Sequence, residues 1–199
     1  MRFEDDVLAG LIDANSRVLD VGCGDGSLLL HLKKIKNVDG RGLEIDQKRV
    51  QESVAKGLAV IEGDAEKDLV DYPNASFDFA ILNQSLQQFH DPRKVLDELL
   101  RVAKKAIITI PNFGYWKVRL NLLFKGTMPV TENLPHTWYN TPNLHMCTIK
   151  DFYNLCKLDN IEIVKSISVS SDKVSNIQKS NSNVSGNSSC YNKTYGRTW

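Results

Sequence analysis

Apolar and polar positions along the first 110 residues alternate between two periods, one of strands and one of helices. Leu8, Leu11 and Ile12 fall at helical spacing and predict a short lead-in helix. Residues 17–21 then form a compact apolar run that predicts a strand. Residues 27–34 follow as a helix, with Leu28, Leu29, Leu30 and Leu32 available to pack on a sheet. The unit recurs as a strand over 38–45, a helix over 48–56 and a short strand over 59–63. Residues 77–82 are almost continuously apolar, as strands covered on both faces are. Pro92 opens a helix over 92–102 with Val95, Leu96, Leu99 and Leu100 at helical spacing, and a fifth strand is expected over 106–110. Strands alternating with helices in this way predict an α/β domain built on a doubly wound, mostly parallel sheet.

Thr148 and Asp151 have the spacing of a capping box, with Asp in place of Glu, and predict a helix running through Cys156. Residues 161–169 alternate as a strand does. After about Ser170 the composition changes to serine and asparagine, with patches at 180–183 and 185–189, and apolar residues become too sparse for a core element. The expected organisation is one domain over residues 1–170 followed by a flexible Ser/Asn-rich tail over 171–199 that contributes little to stability. The triplet Asn192-Lys-Thr194 in that tail fits a glycosylation pattern but is expected to be compositional.

A chain of 199 residues suits one α/β domain better than two. Lys and Arg total 25 against 24 acids, a net charge of +1, so no global field favours nucleic acid or an anionic membrane. Cys23, Cys147, Cys156 and Cys190 form no C-x-x-C pair and are expected to be reduced thiols in a cytoplasm. Acids near the N-terminus stand where a signal peptide would carry its apolar region, and no run approaches the length of a membrane span.

The junction between the first strand and helix carries the chemistry. Its glycines, Gly22, Gly24 and Gly26, are spaced G-x-G-x-G, which lets the backbone turn sharply and approach a ligand closely. A dinucleotide fingerprint would place the third glycine three residues after the second and would avoid acids against a pyrophosphate. Here Asp20 and Asp25 flank the turn, and carboxylates that repel a diphosphate attract an amino group and a sulfonium, so S-adenosylmethionine fits better than NAD.

Ligands in open α/β sheets bind outside the carboxyl ends of the strands. Glu44, with Asp46 as second choice, stands at the end of strand two and suits the ribose hydroxyls. Asp64 after strand three suits an exocyclic amine, with the Ala65 amide donating to a ring nitrogen. Asn83 and the amides that follow it, Gln84, Gln87 and Gln88, suit the methionine end or a substrate. His90, before Asp91 and Pro92, is the candidate general base, although a histidine there also serves simply as a hydrogen-bonding residue near a helix start.

The connection over 111–147 is long for a compact domain and predicts a lid or docking surface, with an amphipathic helix over 115–124. Trp116, Arg119, Trp138, Tyr139 and His145 are its candidates for touching a partner or substrate, and a helix that only covers the sheet is the alternative. His136, His145 and Cys147 lack a fourth ligand and a recognised spacing, so no metal is expected. Lys117, Arg119 and Lys125 are too few to favour nucleic acid.

Asp20-Val-Gly-Cys-Gly-Asp-Gly26, Gly42-Leu-Glu-Ile-Asp46, Gly63-Asp64 and Phe77-Asp-Phe-Ala-Ile-Leu82, in this order, resemble the class I S-adenosylmethionine-dependent methyltransferases, whose fold is Rossmann-like. More particular strings follow: Ile110-Pro-Asn-Phe-Gly-Tyr-Trp-Lys-Val-Arg-Leu120, Gly126-Thr-Met-Pro-Val-Thr131 and Trp138-Tyr-Asn-Thr-Pro-Asn-Leu-His-Met-Cys-Thr-Ile-Lys-Asp-Phe152. These resemble the MetW family of methionine-biosynthesis proteins, over about residues 5–165. The resemblance implies a bacterial cytoplasmic protein acting with homoserine O-acyltransferase in making methionine. It supplies neither a methyl acceptor nor an oligomeric state. Class I sheets normally close with an apolar strand hairpin, and the polar tail here implies that this final hairpin is incomplete; a truncated or frame-shifted gene would end the same way.

Three functions compete. An accessory protein would bind S-adenosylmethionine and support the acyltransferase through the aromatic connection. An enzyme would transfer the methyl group to a small acceptor held by the same connection. An oxidoreductase is disfavoured by the glycine spacing and by Asp20.

Overall fold

A computed structural model describes residues 3–130, 136–170 and 173–176. The elements in chain order are α1 (Phe3–Ala9), β1 (Arg17–Val21), α2 (Ser27–Lys36), β2 (Asp39–Glu44), α3 (Gln47–Ala55), β3 (Ala59–Glu62), α4 (Ala65–Asp68) and β4 (Phe77–Asn83). They continue with α5 (Pro92–Val102), β5 (Ala103–Thr109), α6 (Trp116–Lys125), α7 (Ile149–Leu158), β6 (Ile167–Ser170) and β7 (Lys173–Asn176). The first five strands form one parallel sheet in the order β3-β2-β1-β4-β5. That is the expected doubly wound architecture.

Strand periodicity divides the core between the two faces of the sheet. Leu19, Val21, Leu43, Ala80, Leu82, Ala106 and Ile108 face α5 and α7, where Leu96, Leu99, Phe152 and Cys156 complete the larger cluster. Val18, Phe79, Ile81 and Ile107 face the other way and pack with Leu8 and Ala9 of α1 and with Leu28 and Leu32 of α2. Pro92 occupies the first turn of α5, Asp91 accepts the Lys94 amide at 3.0 Å, and five apolar side chains of that helix are buried. The expected capping box forms in full: Thr148 Oγ1 accepts the Asp151 amide at 3.3 Å and Asp151 Oδ2 accepts the Thr148 amide at 2.9 Å.

The end of the described chain departs from expectation. Alternation over 161–169 predicted one long strand, but only Ile167–Ser170 is extended in a ladder, and its partner is β7, antiparallel, in a separate two-stranded sheet. Ile161 instead packs into the large core and Ile163 rests against it, so their apolar character is satisfied without pairing. Ile167 and Val169 pack against Val7 and Leu11, which closes the α1 side of the molecule. The hairpin therefore does not extend the main sheet, as the missing apolar closing strand implied. Strand β7 lies within the segment expected to be a polar tail; Cys190 and the Asn192 triplet lie outside the described residues.

Candidate functional site

The order β3-β2-β1-β4-β5 places the change of winding direction between β1 and β4, and a cleft of about 220 Å³ opens at the carboxyl ends of the strands there. Gly22, Leu43, Glu44, Ile45, Gly63 and Ala65 line it from the β1, β2 and β3 side. Asn83, Gln84, Ser85, Gln88 and Phe89 line it from β4, and Arg49 of α3 completes the wall.

Gly22, Gly24 and Gly26 all have φ between +59° and +73°, the left-handed region that favours glycine. They serve different ends. A Cβ on Gly22 would lie 2.9 Å from Ser85 Oγ, so this glycine lets the turn approach the β4 loop. Gly24 has open space where a Cβ would stand. Gly26 faces away from the cleft: its Cβ would lie 2.5 Å from Leu58 Cδ1 and 2.8 Å from Ser53 Oγ, so it packs the turn against α3.

Glu44 is buried and holds the turn in place. Its Oε2 accepts the Gly24 amide at 2.7 Å, while Oε1 accepts the amides of Ile45 and Asp46 at 3.1 Å each. Asp46 points away from the cleft as the N-cap of α3, accepting from the Lys48 and Arg49 amides at 2.9 and 3.2 Å. Asp64 caps α4 through the Glu66 amide at 3.0 Å and pairs with Lys67 at 2.8 Å; that lysine, first among the causes, holds its carboxyl below the usual range. Asn83 Oδ1 accepts the Thr109 hydroxyl at 2.6 Å, which fixes the amide at the β4–β5 boundary.

Asp20 is 1% exposed, and its Oδ1 has no hydrogen-bond partner among the described residues. Burial, then the charges of Glu44 and Asp5, push its carboxyl up to about 7. Asp25, which also flanks the turn, is turned outward to Lys56 at 2.7 Å and Ser27 at 2.6 Å, and these bonds hold it down at about 2. Of the two acids that flank the turn, Asp20 is thus buried and Asp25 exposed. Burial, with Asp20 and Glu44 nearby, pushes the Cys23 thiol up to about 12, so it is no nucleophile.

His90 stands outside the cleft. Its side chain is 85% exposed and its Nδ1 lies 3.2 Å from Glu66 Oε2, while Glu66 Oε1 accepts the Asp91 amide at 2.8 Å. This places it as a hydrogen-bonding residue near the start of α5. No described residue of the aromatic connection is in the cleft lining, but the Leu144 and His145 amides donate to the Gln87 carbonyl, at 2.9 and 3.0 Å, in the loop that forms one wall. Trp116, Arg119, Trp138, Tyr139 and His145 are all exposed, and α6 buries only Val118. Its Leu123 and Phe124 are likewise exposed, and the helix carries Lys117, Arg119 and Lys125 with no acid.

Arg49 and Ile45 were not anticipated. Ile45 follows Glu44 directly and is exposed, an apolar surface where a planar base would rest, so its place beside the strand-end acid was a usable signal. Arg49 had no such signal, because only the angle of α3 turns it toward the cleft.

Comparison with known proteins extends this picture. Residues 2–192 match the family described as Methionine biosynthesis protein MetW. A bifunctional methionine biosynthesis protein MetXA/MetW from Rhodopirellula baltica is 30% identical over 190 residues, covering 91% of this chain and 30% of that relative. Ajmaline N-methyltransferase from Rauvolfia serpentina is 26% identical over 156 residues, 74% of this chain and 53% of the plant protein. The chain thus spans about a third to a half of the length of these relatives. Among solved structures, a SAM-dependent methyltransferase from Thermotoga maritima superposes with a TM-score of 0.71 at 19% identity, covering 96% of this chain and 87% of that one.

Proposed function

This chain belongs to the MetW family of methionine biosynthesis proteins, and from that premise we propose that its cleft binds S-adenosylmethionine and that it acts with a homoserine O-acyltransferase. The observation that carries the first part is Asp20, a buried carboxyl with an unpartnered oxygen beneath the glycine turn, beside the Glu44 carboxylate. A buried acid with an unpartnered oxygen beneath a glycine turn favours a ligand bearing positive charge and disfavours a diphosphate. S-adenosylmethionine has such a charge at its sulfonium and at its amino-acid ammonium.

In this arrangement Glu44 takes the ribose hydroxyls on lone pairs left free by the backbone amides, Ile45 covers one face of the adenine, and the Ala65 amide and Asp64 border the base. Asp20 lies toward the amino-acid end, with Asn83 and Gln84 on the opposite wall. When bound, S-adenosylmethionine supplies an activated methyl group. The partnership is supported by the Rhodopirellula relative, whose name joins MetXA and MetW in one chain. Trp116, Arg119, Trp138, Tyr139 and His145 offer the exposed aromatic and basic surface for it.

Calorimetric titration with S-adenosylmethionine and S-adenosylhomocysteine tests the site, with Glu44→Gln as control. Micromolar binding lost in that variant supports it; a folded protein that binds neither ligand sinks it. Methyl transfer to a small-molecule acceptor is a second function for the same cleft, favoured by the Rauvolfia relative that is named a methyltransferase. Transfer of labelled methyl in a metabolite screen decides between a catalytic and an accessory role.

A further inference from the structure

The polar side chains on the β4 wall of the cleft differ in what they have left to offer a ligand. Asn83 ends β4 and stands beside Thr109, its register partner at the end of β5. Thr109 is fully buried. Its Oγ1 accepts the Gln84 backbone N–H at 2.8 Å and donates to Asn83 Oδ1 at 2.6 Å. A backbone N–H can only donate and a hydroxyl has one hydrogen, so this short relay has a fixed polarity. Turning the Asn83 amide over would set Nδ2 against the Thr109 oxygen and strand the hydroxyl hydrogen out of water, without an acceptor among the described residues. The relay therefore holds Oδ1 toward Thr109 and leaves Nδ2 as the outer end of the amide.

Neighbouring donors on this wall are already engaged. Ser85 gives its one hydroxyl hydrogen to the Asn83 carbonyl at 3.0 Å. Gln84 Nε2 donates to Glu4 Oε2 at 3.2 Å, and Gln88 Nε2 to the Gln84 carbonyl at 3.3 Å. Asn83 Nδ2 makes no hydrogen bond among the described residues, yet it is not sealed from water: the residue is half-buried and lines the cleft. Both of its hydrogens are thus open to a ligand. The opposite wall differs in kind, with the Glu44 carboxylate, the apolar Ile45 and the Arg49 cation. That wall takes the adenosine in the arrangement proposed above, so the β4 wall meets the other end of the ligand.

We propose that Asn83 holds the α-carboxylate of the cofactor through Nδ2, and that Thr109 is the positioning residue that keeps this end of the amide turned toward the ligand. The inference rests on the S-adenosylmethionine site proposed above. It adds the means by which that site recognises a whole amino-acid end rather than an amine alone. Paired N–H donors match the oxygens of a carboxylate, and each bond of the relay polarises the next toward donation at Nδ2.

Two ligands that differ only in the carboxylate test this. S-adenosylmethionine and its decarboxylated form share the adenosine, the sulfonium and the ammonium. Calorimetry on the full chain gives the ratio of their affinities, and a ratio taken within one variant is insensitive to that variant's stability. The wild-type protein is expected to prefer S-adenosylmethionine roughly tenfold or more, the scale of a hydrogen bond to a charged group. Asn83→Asp keeps an acceptor for Thr109 but sets a carboxylate against that of the ligand, and is expected to abolish the preference while still binding the decarboxylated form. Thr109→Val leaves the Gln84 amide its 3.1 Å contact with the residue 109 carbonyl and frees the Asn83 amide to turn, so the ratio should fall several-fold. Thr109→Ser should restore it. Equal affinities in the wild-type protein overturn the proposal, and so does a wild-type ratio in Asn83→Asp. An unchanged ratio in Thr109→Val overturns the role given to Thr109, and a preference lost in Arg49→Ala but kept in Asn83→Asp moves the carboxylate to α3. If neither ligand binds, the cofactor site itself fails; if both bind without discrimination, the role of Asn83 alone fails.

Discussion

Glu44 Oε2 accepts the amide hydrogen of Gly24 at 2.7 Å, joining the end of β2 to the middle of the glycine turn. The residue proposed to hold the ribose is thus also the residue that shapes the loop beneath it. Replacing it by alanine strands three backbone amides, whereas glutamine keeps one carbonyl acceptor. Glu44→Ala is expected to cost about 1–3 kcal/mol of stability and Glu44→Gln less, while both weaken S-adenosylmethionine at least about tenfold. Denaturant melts paired with calorimetry check this. Wild-type affinity in Glu44→Gln would remove Glu44 from the ligand's contacts.

Asp20 predicts a pH-dependent stability. Its carboxyl is pushed up to about 7 from an ordinary value of 3.8 by burial, then by Glu44 and Asp5. A carboxyl raised in the folded state binds its proton more tightly there than when unfolded. It costs nothing below about pH 4, and stability falls as pH rises toward 7, by a total on the order of 4 kcal/mol. Asp20→Asn should therefore be more stable than wild type at pH 8 and equal to it near pH 4. Urea unfolding at pH 4, 6 and 8 measures the difference, and a constant offset across the three contradicts it.

The same linkage applies to the ligand. A cation that favours ionised Asp20 expels its proton, so S-adenosylmethionine is expected to bind more tightly as pH rises through 7. Calorimetry in buffers of different ionisation enthalpy would show proton release. Heats independent of the buffer would place the cation elsewhere.

The glycines of the turn should separate by their surroundings. Gly26→Ala forces a Cβ to within 2.5 Å of Leu58 and adopts φ +73°, so it should cost several kcal/mol, on the order of 3. Gly24→Ala meets open space and carries only the strain of a left-handed backbone, about 1 kcal/mol. Equal losses in thermal melts would contradict the packing role given to Gly26.

The exposed face of α6 should matter to the partner and not to the cofactor. Trp116→Ala is expected to weaken association with the acyltransferase more than about tenfold, and Arg119→Ala to weaken it less, with S-adenosylmethionine affinity unchanged in both. Sedimentation of the purified pair checks this. A complex of wild-type strength in the Trp116 variant would move the interface to another surface.

Much of this protein was legible in its residues. Short apolar runs alternating with helical stretches at βα spacing dictate parallel strands, because local period and crossover length leave few other ways to bury those side chains. The three glycines announced a tight left-handed turn, and Glu44 an acid at the end of β2, for the same local reason: each depends on backbone conformation and position at a strand end. The capping box at Thr148 is likewise a matter of four consecutive residues.

The division of labour among similar residues was not local. Gly24 and Gly26 look alike in sequence, as do Asp20 and Asp25 or Glu44 and Asp46. The packing of Ser53 of α3 and of Leu58 against the turn makes Gly26 a spacer, and Lys56 together with Ser27 draws Asp25 away. Asp46 has an adjacent helix to cap, whereas Glu44 faces back across the sheet to Gly24. The packing of Leu8 and Ala9 against Val18 joins residues with no shared motif, and it exists because α1 folds back over β1. Sequence determined which residue types stand at the strand ends, since that follows from short-range periodicity. Tertiary structure decided which of them share one charged, water-poor space, because electrostatic coupling depends on separation and burial rather than on order along the chain.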